Sequence, residues 1–251
     1  MKRLVLAAMV LAFASNPATA ESIRIGTEAA YPPFNFLDES GNVAGFDIDV
    51  GKEICKRAEL DCTWIPNEWD SIIQNLIAGN YDAILADVTI NDERKQTVDF
   101  SHPYFPPDPS QYLRLADKPV DFSKLAGFRI GVQGATVQAA WLTTNLGDAN
   151  TILTFDTTDQ ALADLNGGNI DLMLAEGSYI DETAKGSNGT LVSDGPKIPI
   201  GDGAGVVLRK SDDALELKVN TAIDAMRADG TIDALISHWF PEKGAPPFFA
   251  N

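Results

Sequence analysis

Histidine, cysteine and basic side chains are scarce in this sequence. Its 251 residues include two His, two Cys, and 19 Lys and Arg against 36 Asp and Glu, which gives a formal net charge of −17. A surface this acidic repels nucleic-acid phosphates and anionic lipid headgroups, so we expect neither as a partner. Two thiols and two distant imidazoles do not provide a zinc-binding spacing, and we expect no metal site.

Common catalytic motifs are missing as well. The sequence has no G-x-S-x-G, no P-loop, no H-E-x-x-H and no dinucleotide-binding glycine pattern. His102 lies beside a proline-rich stretch and His238 near the end of a predicted helix, and we expect both to be structural or solvated. We therefore expect a binding protein that needs no cofactor rather than an enzyme.

The apolar run at residues 4–13 is too short to span a bilayer. It follows the basic pair Lys2-Arg3 and precedes the small residues Ala18-Thr19-Ala20, which is the pattern of a cleaved secretory signal. We predict that residues 1–20 are a signal peptide and that the mature chain, with a charge of −19, begins at Glu21 in the periplasm. The mature part has no stretch of about 18 apolar residues, so we expect no direct membrane insertion.

Both cysteines, Cys55 and Cys62, lie in the exported part of the chain. Because an oxidising compartment favours disulfides, a bond between them is the default expectation. The loop that it closes is short, so the entropic gain is only on the order of 2–3 kcal/mol.

The mature chain alternates short apolar runs with helical patterns, and it does so twice. The first series predicts strands at residues 23–26, 62–65 and 83–86 and helices at residues 47–58 and 71–78. The second predicts strands at residues 111–115, 128–132, 152–155, 170–174 and 206–209 and helices at residues 136–146, 159–165, 213–228 and 231–240. Such alternation predicts an α/β fold with two lobes, each a mixed, mostly parallel sheet flanked by helices.

Two connections between the lobes are visible in the sequence. Residues 103–109 are rich in proline, and residues 201–205 are rich in glycine and offer a return crossing. We therefore predict one lobe from residues 21–108 plus 205–251, a second from residues 109–204, and a hinged cleft between them. Ligands of such sheets bind beyond the carboxyl ends of the strands.

Ten candidate site residues, all but Val137 polar or aromatic, follow the predicted strands at positions that face this cleft. They are Glu28, Tyr31, Trp69, Asp87, Thr89, Arg94, Thr136, Val137, Gln138 and Glu176. The guanidinium group of Arg94 and the free N–H of Val137 at a helix start suit a carboxylate. The Thr89 hydroxyl and Glu176 can accept from an ammonium group, and Tyr31 and Trp69 offer flat faces to an aliphatic stem or a cation. Together these groups suit an α-amino acid.

At this point the sequence resembles the polar amino-acid family of periplasmic solute-binding proteins, which serve ABC importers. The resemblance covers residues 21–240. The segments that carry it are Ile23-Arg24-Ile25-Gly26-Thr27 with Tyr31-x-Pro33-Phe34, Gly45-Phe46-Asp47-Ile48-Asp49-Val50, Asp82-Ala83-Ile84, Thr89-Ile90-Asn91-Asp92-Glu93-Arg94, Val98-Asp99-Phe100-Ser101, Gly131-Val132-Gln133 and Met226-Arg227-Ala228-Asp229-Gly230-Thr231. It implies the type II two-lobed fold, two hinge crossings, membrane permease subunits as partners, and a monomer.

The resemblance also implies roles for individual residues. Arg94, Thr89 and the Val137 N–H would hold the ligand carboxylate, Glu176 the ammonium group, and Tyr31 and Trp69 would sandwich the ligand side chain. Glu28 would meet a distal cation, while Thr136 and Gln138 would line the pocket. The Cys55–Cys62 pair resembles the disulfide of the lysine/arginine/ornithine-, histidine- and opine-binding branch. Three residues depart from the pattern: Asp87 replaces Ser or Gly, Ala135 replaces Gly, and Glu176 replaces Asp.

The net charge of the predicted pocket indicates which class of amino acid it favours. If Glu28, Asp87 and Glu176 share a pocket with Arg94, the site carries −2 before binding. Because an unpaired buried charge is costly, such a site favours an amino acid with an additional cation, namely lysine, arginine or ornithine. An opine, histidine or a neutral polar amino acid is the alternative. The neutral ligand is plausible if Asp87 points into solvent and Glu28 into a loop.

We expect capture by hinge closure, followed by docking of the closed protein on the permease. Two other classes remain open. A cyclohexadienyl-dehydratase-like enzyme shares this scaffold, and Glu176 could act there as a general acid. The chain could also be the sensory domain of a receptor or kinase, although no signalling segment is present.

Overall fold

A computed structural model of the chain describes residues 20–249. The predicted signal peptide falls almost entirely outside these described residues. Within residues 20–249, no helix has the length and apolar character needed to cross a membrane.

The described residues form 13 strands and seven α-helices. The strands are β1 (Glu21–Thr27), β2 (Ala30–Tyr31), β3 (Asn35–Leu37), β4 (Val43–Ala44), β5 (Leu60–Pro66), β6 (Ala83–Ile84), β7 (Asp99–Phe100), β8 (Ser110–Leu115), β9 (Arg129–Gln133), β10 (Thr151–Phe155), β11 (Leu172–Ala175), β12 (Leu191–Ile198) and β13 (Val207–Leu208). The helices are α1 (Phe46–Arg57), α2 (Ile72–Ile77), α3 (Val137–Leu146), α4 (Thr158–Asn166), α5 (Gly177–Gly186), α6 (Asp213–Ala228) and α7 (Thr231–Trp239).

The protein is two-lobed, and each lobe contains a five-stranded mixed sheet. The sheet of the first lobe has the order β5-β1-β6-β13-β7, in which β1 pairs in parallel with β5 and β6, and β13 pairs antiparallel with β6 and β7. The sheet of the second lobe has the order β10-β9-β11-β8-β12, with parallel pairs around β9 and antiparallel pairs around β8. A small antiparallel sheet, β2-β3-β4, flanks the first lobe. The two-lobed α/β prediction is therefore confirmed.

The chain crosses between the lobes twice. The first crossing joins β7 to β8 and the second joins β12 to β13, so each leaves one sheet and enters the other. The two crossings touch, since Phe105 forms an antiparallel bridge with Ala204. The lobe boundaries at residues 108/109 and 204/205 stay a prediction, which this change of sheet supports.

Helix α1 shows how the Gly45-Phe46-Asp47 segment specifies local structure. Gly45 precedes the helix with a φ of 120°, and a Cβ there would collide with the backbone oxygen of Phe34. The close approach lets the N–H groups of Phe46 and Asp47 donate to the oxygens of Pro33 (3.0 Å) and Phe34 (2.8 Å). These two bonds hold the loop after β2 beside the start of α1. They also satisfy N–H groups of the first helical turn that have no acceptor within the helix.

A disulfide between Cys55 and Cys62 fastens α1 to the neighbouring strand β5. The expected bond is present, and residues 20–249 contain no free cysteine. It joins two elements of the first lobe, so it stabilises that lobe rather than the hinge.

Several elements were not predicted by the sequence pattern. Helix α5 has glycine at both ends, and its Ser178 N–H donates to Asp108 Oδ2 at 2.7 Å, a contact between distant parts of the chain. Strand β12 contains Gly195-Pro196 and pairs irregularly with β8. Tertiary contacts stabilise both segments despite their poor local propensity.

Candidate functional site

A single cavity between the two sheets contacts all ten residues that the sequence singles out. Its volume is about 450 Å³, including the space at its mouths. The predicted residues on its wall are Glu28, Tyr31, Trp69, Asp87, Thr89, Arg94, Thr136, Val137, Gln138 and Glu176. Ligand binding by these side chains stays a prediction.

The convergence follows from strand direction. Glu28 follows β1, Asp87 follows β6, and Glu176 follows β11. The central strands of each sheet run in parallel and end at the cleft, so the residues after them meet there. A short 3-10 helix (Trp69–Ser71) and the start of α3 complete the wall.

Arg94 lies on a short 3-10 helix (Arg94–Gln96) at the edge of the cleft. Its Nη1 donates to the Thr89 oxygen at 2.9 Å and its Nη2 to the Ala135 oxygen at 3.5 Å, across the two lobes. The guanidinium carbon lies 5.4 Å from the centre of the Trp69 ring. Burial lowers the pKa of Arg94 to about 10, so the group stays charged at neutral pH. None of the salt bridges within residues 20–249 involves Arg94, which leaves it suited to an anionic ligand group.

The start of α3 presents backbone donors close to Arg94. Thr136 is the N-cap residue of α3, and its hydroxyl accepts from the N–H of Ala139, the third residue of the helix, at 3.1 Å. The N–H of Val137, the first residue of the helix, is not used by this cap, and Val137 lines the cavity. Ala135 has a φ of 52°, a left-handed conformation that costs a residue with a Cβ more than glycine. Glycine suits this position because it has no Cβ and adopts the left-handed conformation at a lower cost. Gln138 donates to Ser110 Oγ at 3.1 Å.

Glu28 lies on the same wall and is 9% exposed. Its Oε1 accepts from Gln133 Nε2 at 2.6 Å, a bond that joins the two lobes. Burial raises its pKa to about 7 against the effect of that hydrogen bond, and the charges of Asp159 and Asp70 add to the rise. Sequence reasoning missed Gln133 as a site residue, although its position directly before the α3 turn indicates it.

Asp87 points into the protein rather than into solvent, since it is 5% exposed and lines the cavity. Its φ of 48° places it in the left-handed region, where Asp is tolerated better than most residues. The Tyr104 hydroxyl accepts from the Asp87 N–H at 3.1 Å and donates to Asp47 at 2.9 Å, which holds this turn in place. The alternative in which Asp87 faces solvent is therefore wrong.

Glu176 approaches Asp87 from the second lobe. It occupies the N-cap position of α5, but its side chain makes no capping bond and lines the cavity. Burial raises the pKa of Glu176 to about 7. Burial also raises the pKa of Asp87 well above its ordinary range, and the neighbouring charge of Glu176 raises it further.

These shifts change the charge expected of the pocket. Three carboxylates against Arg94 give −2 only if all three are ionised. With the pKa values of Glu28 and Glu176 near 7 and that of Asp87 well above its ordinary range, the carboxyl groups are partly protonated at neutral pH. The expectation of −2 is therefore too negative, because burial favours the neutral form.

The two aromatic residues have different neighbours. The Tyr31 ring stacks on Phe34 at 5.4 Å and on Tyr179 of α5 at 4.9 Å, both with an interplanar angle of 11°. The Trp69 ring lies beside Arg94 instead. Their predicted sandwich of a ligand side chain stays a prediction. Tyr179 does not line the cavity itself but supports the Tyr31 ring from α5, a helix that the sequence pattern did not predict.

The cleft continues at both ends of the cavity. Beyond Glu28 and Trp69 lies a cavity of about 940 Å³, and its charged lining residues are all acidic: Glu28, Glu68, Asp70 and Asp156. Beyond Arg94 lies another of about 1840 Å³, which has Arg94 on its wall but not Glu28. Arg94 and Glu28 therefore border different mouths of the cleft. Within residues 20–249, no group of three His, Cys, Asp or Glu side chains is arranged to hold a metal ion.

Comparisons with known proteins agree with this geometry. The model of the bacterial extracellular solute-binding proteins, family 3, matches residues 23–242. The chain is 34% identical over 256 residues to the lysine/arginine/ornithine-binding periplasmic protein of Escherichia coli K12, spanning 96% of this chain and 97% of that protein. It is 32% identical over 246 residues to the ABC transporter arginine-binding protein 1 of the same organism, spanning 96% of this chain and all of that one.

A solved structure is also similar. It is a periplasmic His/Glu/Gln/Arg/opine family-binding protein from Silicibacter pomeroyi in complex with lysine. The TM-score is 0.83 and the identity 40%, over 90% of this chain and all of that one.

Proposed function

We propose a ligand and a partner for this chain, which belongs to family 3 of the bacterial extracellular solute-binding proteins. It captures a cationic α-amino acid (arginine, lysine or ornithine) and delivers it to the membrane subunits of an ABC importer. The relatives named above bind or transport such amino acids according to their names, which supports the proposal.

The observation that carries the proposal is the position of Glu28. It is buried on the cavity wall and borders a mouth that Arg94 does not line and whose charged residues are all acidic. A ligand that places a carboxylate at Arg94 therefore directs its side chain toward a carboxyl group. A distal ammonium or guanidinium group satisfies Glu28, whereas an aliphatic or amide end leaves it without a counter-charge.

The α-carbon end of the ligand has its own set of partners. Arg94, the Thr89 hydroxyl and the N–H of Val137 at the start of α3 suit the carboxylate, while Glu176 suits the α-ammonium group. These residues come from both lobes. A ligand held by both sets is bound more tightly by the closed form than by the open form, so its binding favours closure. We propose that the permease recognises the closed arrangement.

We assign the chain to the periplasm, as a monomer with a cleaved signal peptide at residues 1–20. The apolar run that follows two basic residues at its start supports export. We also propose that it binds its ligand without converting it. Arg94, Thr89 and Glu176 are all present to hold an intact amino acid, and the relatives named above are transport proteins.

A thermal-shift panel on the mature protein tests the ligand class. We expect arginine, lysine and ornithine to raise the melting temperature more than histidine, octopine, glutamine or glutamate at equal concentration. A ligand at 100 times its Kd should add about 2.7 kcal/mol to the free energy of unfolding. A shift with glutamine and none with arginine or lysine would contradict the charge argument. Turnover of prephenate or arogenate would show an enzyme instead.

A further inference from the structure

Two carboxyl groups from different lobes meet inside the cavity. Asp87 and Glu176 are both buried on its wall, and each carboxyl group affects the pKa of the other. No N–H or hydroxyl donor in residues 20–249 reaches either carboxyl oxygen of Asp87. Because two ionised carboxylates in contact repel each other strongly in a buried site, one of them retains a proton and donates it to the other.

The nearby acids do not share this situation. Asp47 accepts from Asn35 at 2.8 Å and from Tyr104 at 2.9 Å. Asp108 accepts from Lys243 at 2.8 Å and from the Ser178 N–H at 2.7 Å. Both therefore have donors of their own and do not need the ligand to supply one.

We propose that Asp87 and Glu176 form a proton-holding subsite that exchanges its shared proton for the α-ammonium group of the ligand. The proposal rests on the proposed function, because it places the α-ammonium group beside Glu176. No covalent bond to the ligand changes. The ammonium group keeps its three protons and donates to both carboxylates, and the proton leaves to solvent.

The surrounding charges fix how strongly this proton is held. The titratable and charged groups that face the pair are Glu28, Tyr31, Asp47, Arg94, Tyr104, Asp108 and Lys243. Asp47 and Asp108 repel a second negative charge on the pair and favour retention of the proton. The ammonium group of Lys243 attracts a second negative charge and favours release of the proton, but Asp108 already binds that ammonium group. The protonated pair is the stable form until a ligand brings a further cation.

The exchange makes Asp87 a specificity-determining residue. An α-ammonium group replaces the lost proton, whereas the α-hydroxy analogue of the same amino acid carries no charge there and leaves the proton in place. Since the free protein holds more protons than the complex, affinity for an amino acid rises with pH. It rises by up to tenfold per pH unit below the pKa of the pair and levels off above it.

Isothermal titration calorimetry counts the protons directly. Arginine binding is measured at pH 8, where Glu176 alone would be ionised, in two buffers with different ionisation enthalpies. Glu28→Gln is used as the background, because Glu28 also titrates near neutral pH. We expect about one proton released per arginine in this background and close to none after Asp87→Asn is added. Asn has the same shape and tolerates the left-handed backbone at this position.

A matched control lies on the same helix as Glu176 but away from the cavity. Burial raises the pKa of Glu182, yet Glu182→Gln should leave the proton number unchanged. Glu176→Gln in the Glu28→Gln background should abolish proton release as Asp87→Asn does, which guards against a folding defect in either variant.

The outcomes separate this inference from the proposed function. Arginine binding without proton release in the Glu28→Gln background, or with equal release after Asp87→Asn, overturns the proton-holding subsite and leaves the amino-acid assignment intact. If neither arginine nor any other amino acid binds the wild-type protein, the proposed function fails and the subsite fails with it.

Discussion

The two ends of the cleft differ in the sign of their charged groups and in how burial affects those charges. At the Arg94 end, one guanidinium group is held by backbone carbonyls and an aromatic face and remains charged. At the other end and in the interior, Glu28, Asp87 and Glu176 are buried with a single amide donor from Gln133 between them. One end is ready for an anion, while the other lowers its own charge by holding protons.

This difference assigns the two ends different tasks. Under the proposed function, groups that are already charged and positioned bind any α-amino acid, because every such ligand carries the same carboxylate. Acids whose pKa lies near neutral pH become fully ionised only when a cation arrives, so we expect them to distinguish one ligand from another. We therefore propose that the Arg94 end contributes most of the affinity and the acidic end most of the selectivity.

The largest expected loss of affinity follows removal of the Arg94 side chain. Arg94→Ala removes the only guanidinium group that residues 20–249 place on the cavity wall, and it should cost about 2–5 kcal/mol of binding free energy for every amino acid, cationic or neutral. Calorimetry with arginine and glutamine measures both losses. Arg94→Lys keeps the charge without the planar fork and should show an intermediate loss. An affinity within threefold of wild type in Arg94→Ala would show that the carboxylate binds elsewhere.

Changing Glu28 should affect only some ligands. Glu28→Gln preserves shape and leaves an oxygen that can accept from Gln133, but it removes the counter-charge for a distal cation. We expect arginine and lysine to lose about 10- to 100-fold in affinity, the value of a charged hydrogen bond, and neutral ligands to lose little. Glu68→Gln, an exposed acid at the same mouth, is the matched control and should have a small effect. Equal losses for glutamine and arginine would mean that Glu28 has a structural role alone.

The positions of these residues were predictable, but their ionisation was not. Strand ends that converge on one cleft follow from the alternation of strands and helices, so Arg94, Glu28 and Glu176 could be placed together from sequence. Their pKa values depend on burial by the other lobe, which no local pattern encodes. Counting formal charges therefore gave −2 for a pocket whose acids are partly protonated.

The same limit applies to the fold. Helices with clear caps and periodicity, such as α3 and α6, were predicted to within two residues of their observed ends. Helix α5 was missed, because tertiary contacts such as the Asp108 bond to Ser178 stabilise it. The tail after Pro241 is rich in proline and glycine, yet Phe248 and Phe249 pack in part against the core. Proline and glycine in that tail indicate turns and do not report what the aromatic residues contact.

The pH dependence of stability without ligand distinguishes the two ends further. The pKa of Glu28 is raised to about 7 in the folded protein, above its ordinary 4.5. Between these values the folded state binds more protons than the unfolded state, so stability falls as pH rises from about 5 to 8. We expect Glu28→Gln to be as stable as wild type at pH 5 and more stable by about 1–3 kcal/mol at pH 8. Urea unfolding at both pH values measures this. Equal stability at pH 8 would show that Glu28 ionises without cost.

The smallest expected effect concerns Gln133, which connects Glu28 to the second lobe. Its amide donates to Glu28 at 2.6 Å and favours the ionised carboxylate. Gln133→Leu should therefore raise the pKa of Glu28 further and weaken arginine binding several-fold at pH 7, because the acid must lose a proton that is held more tightly. At pH 8.5 Glu28 is ionised in either protein, and the difference in affinity should shrink. Calorimetry at the two pH values checks this. A deficit that stays constant with pH would mean that Gln133 contacts the ligand itself rather than acting through Glu28.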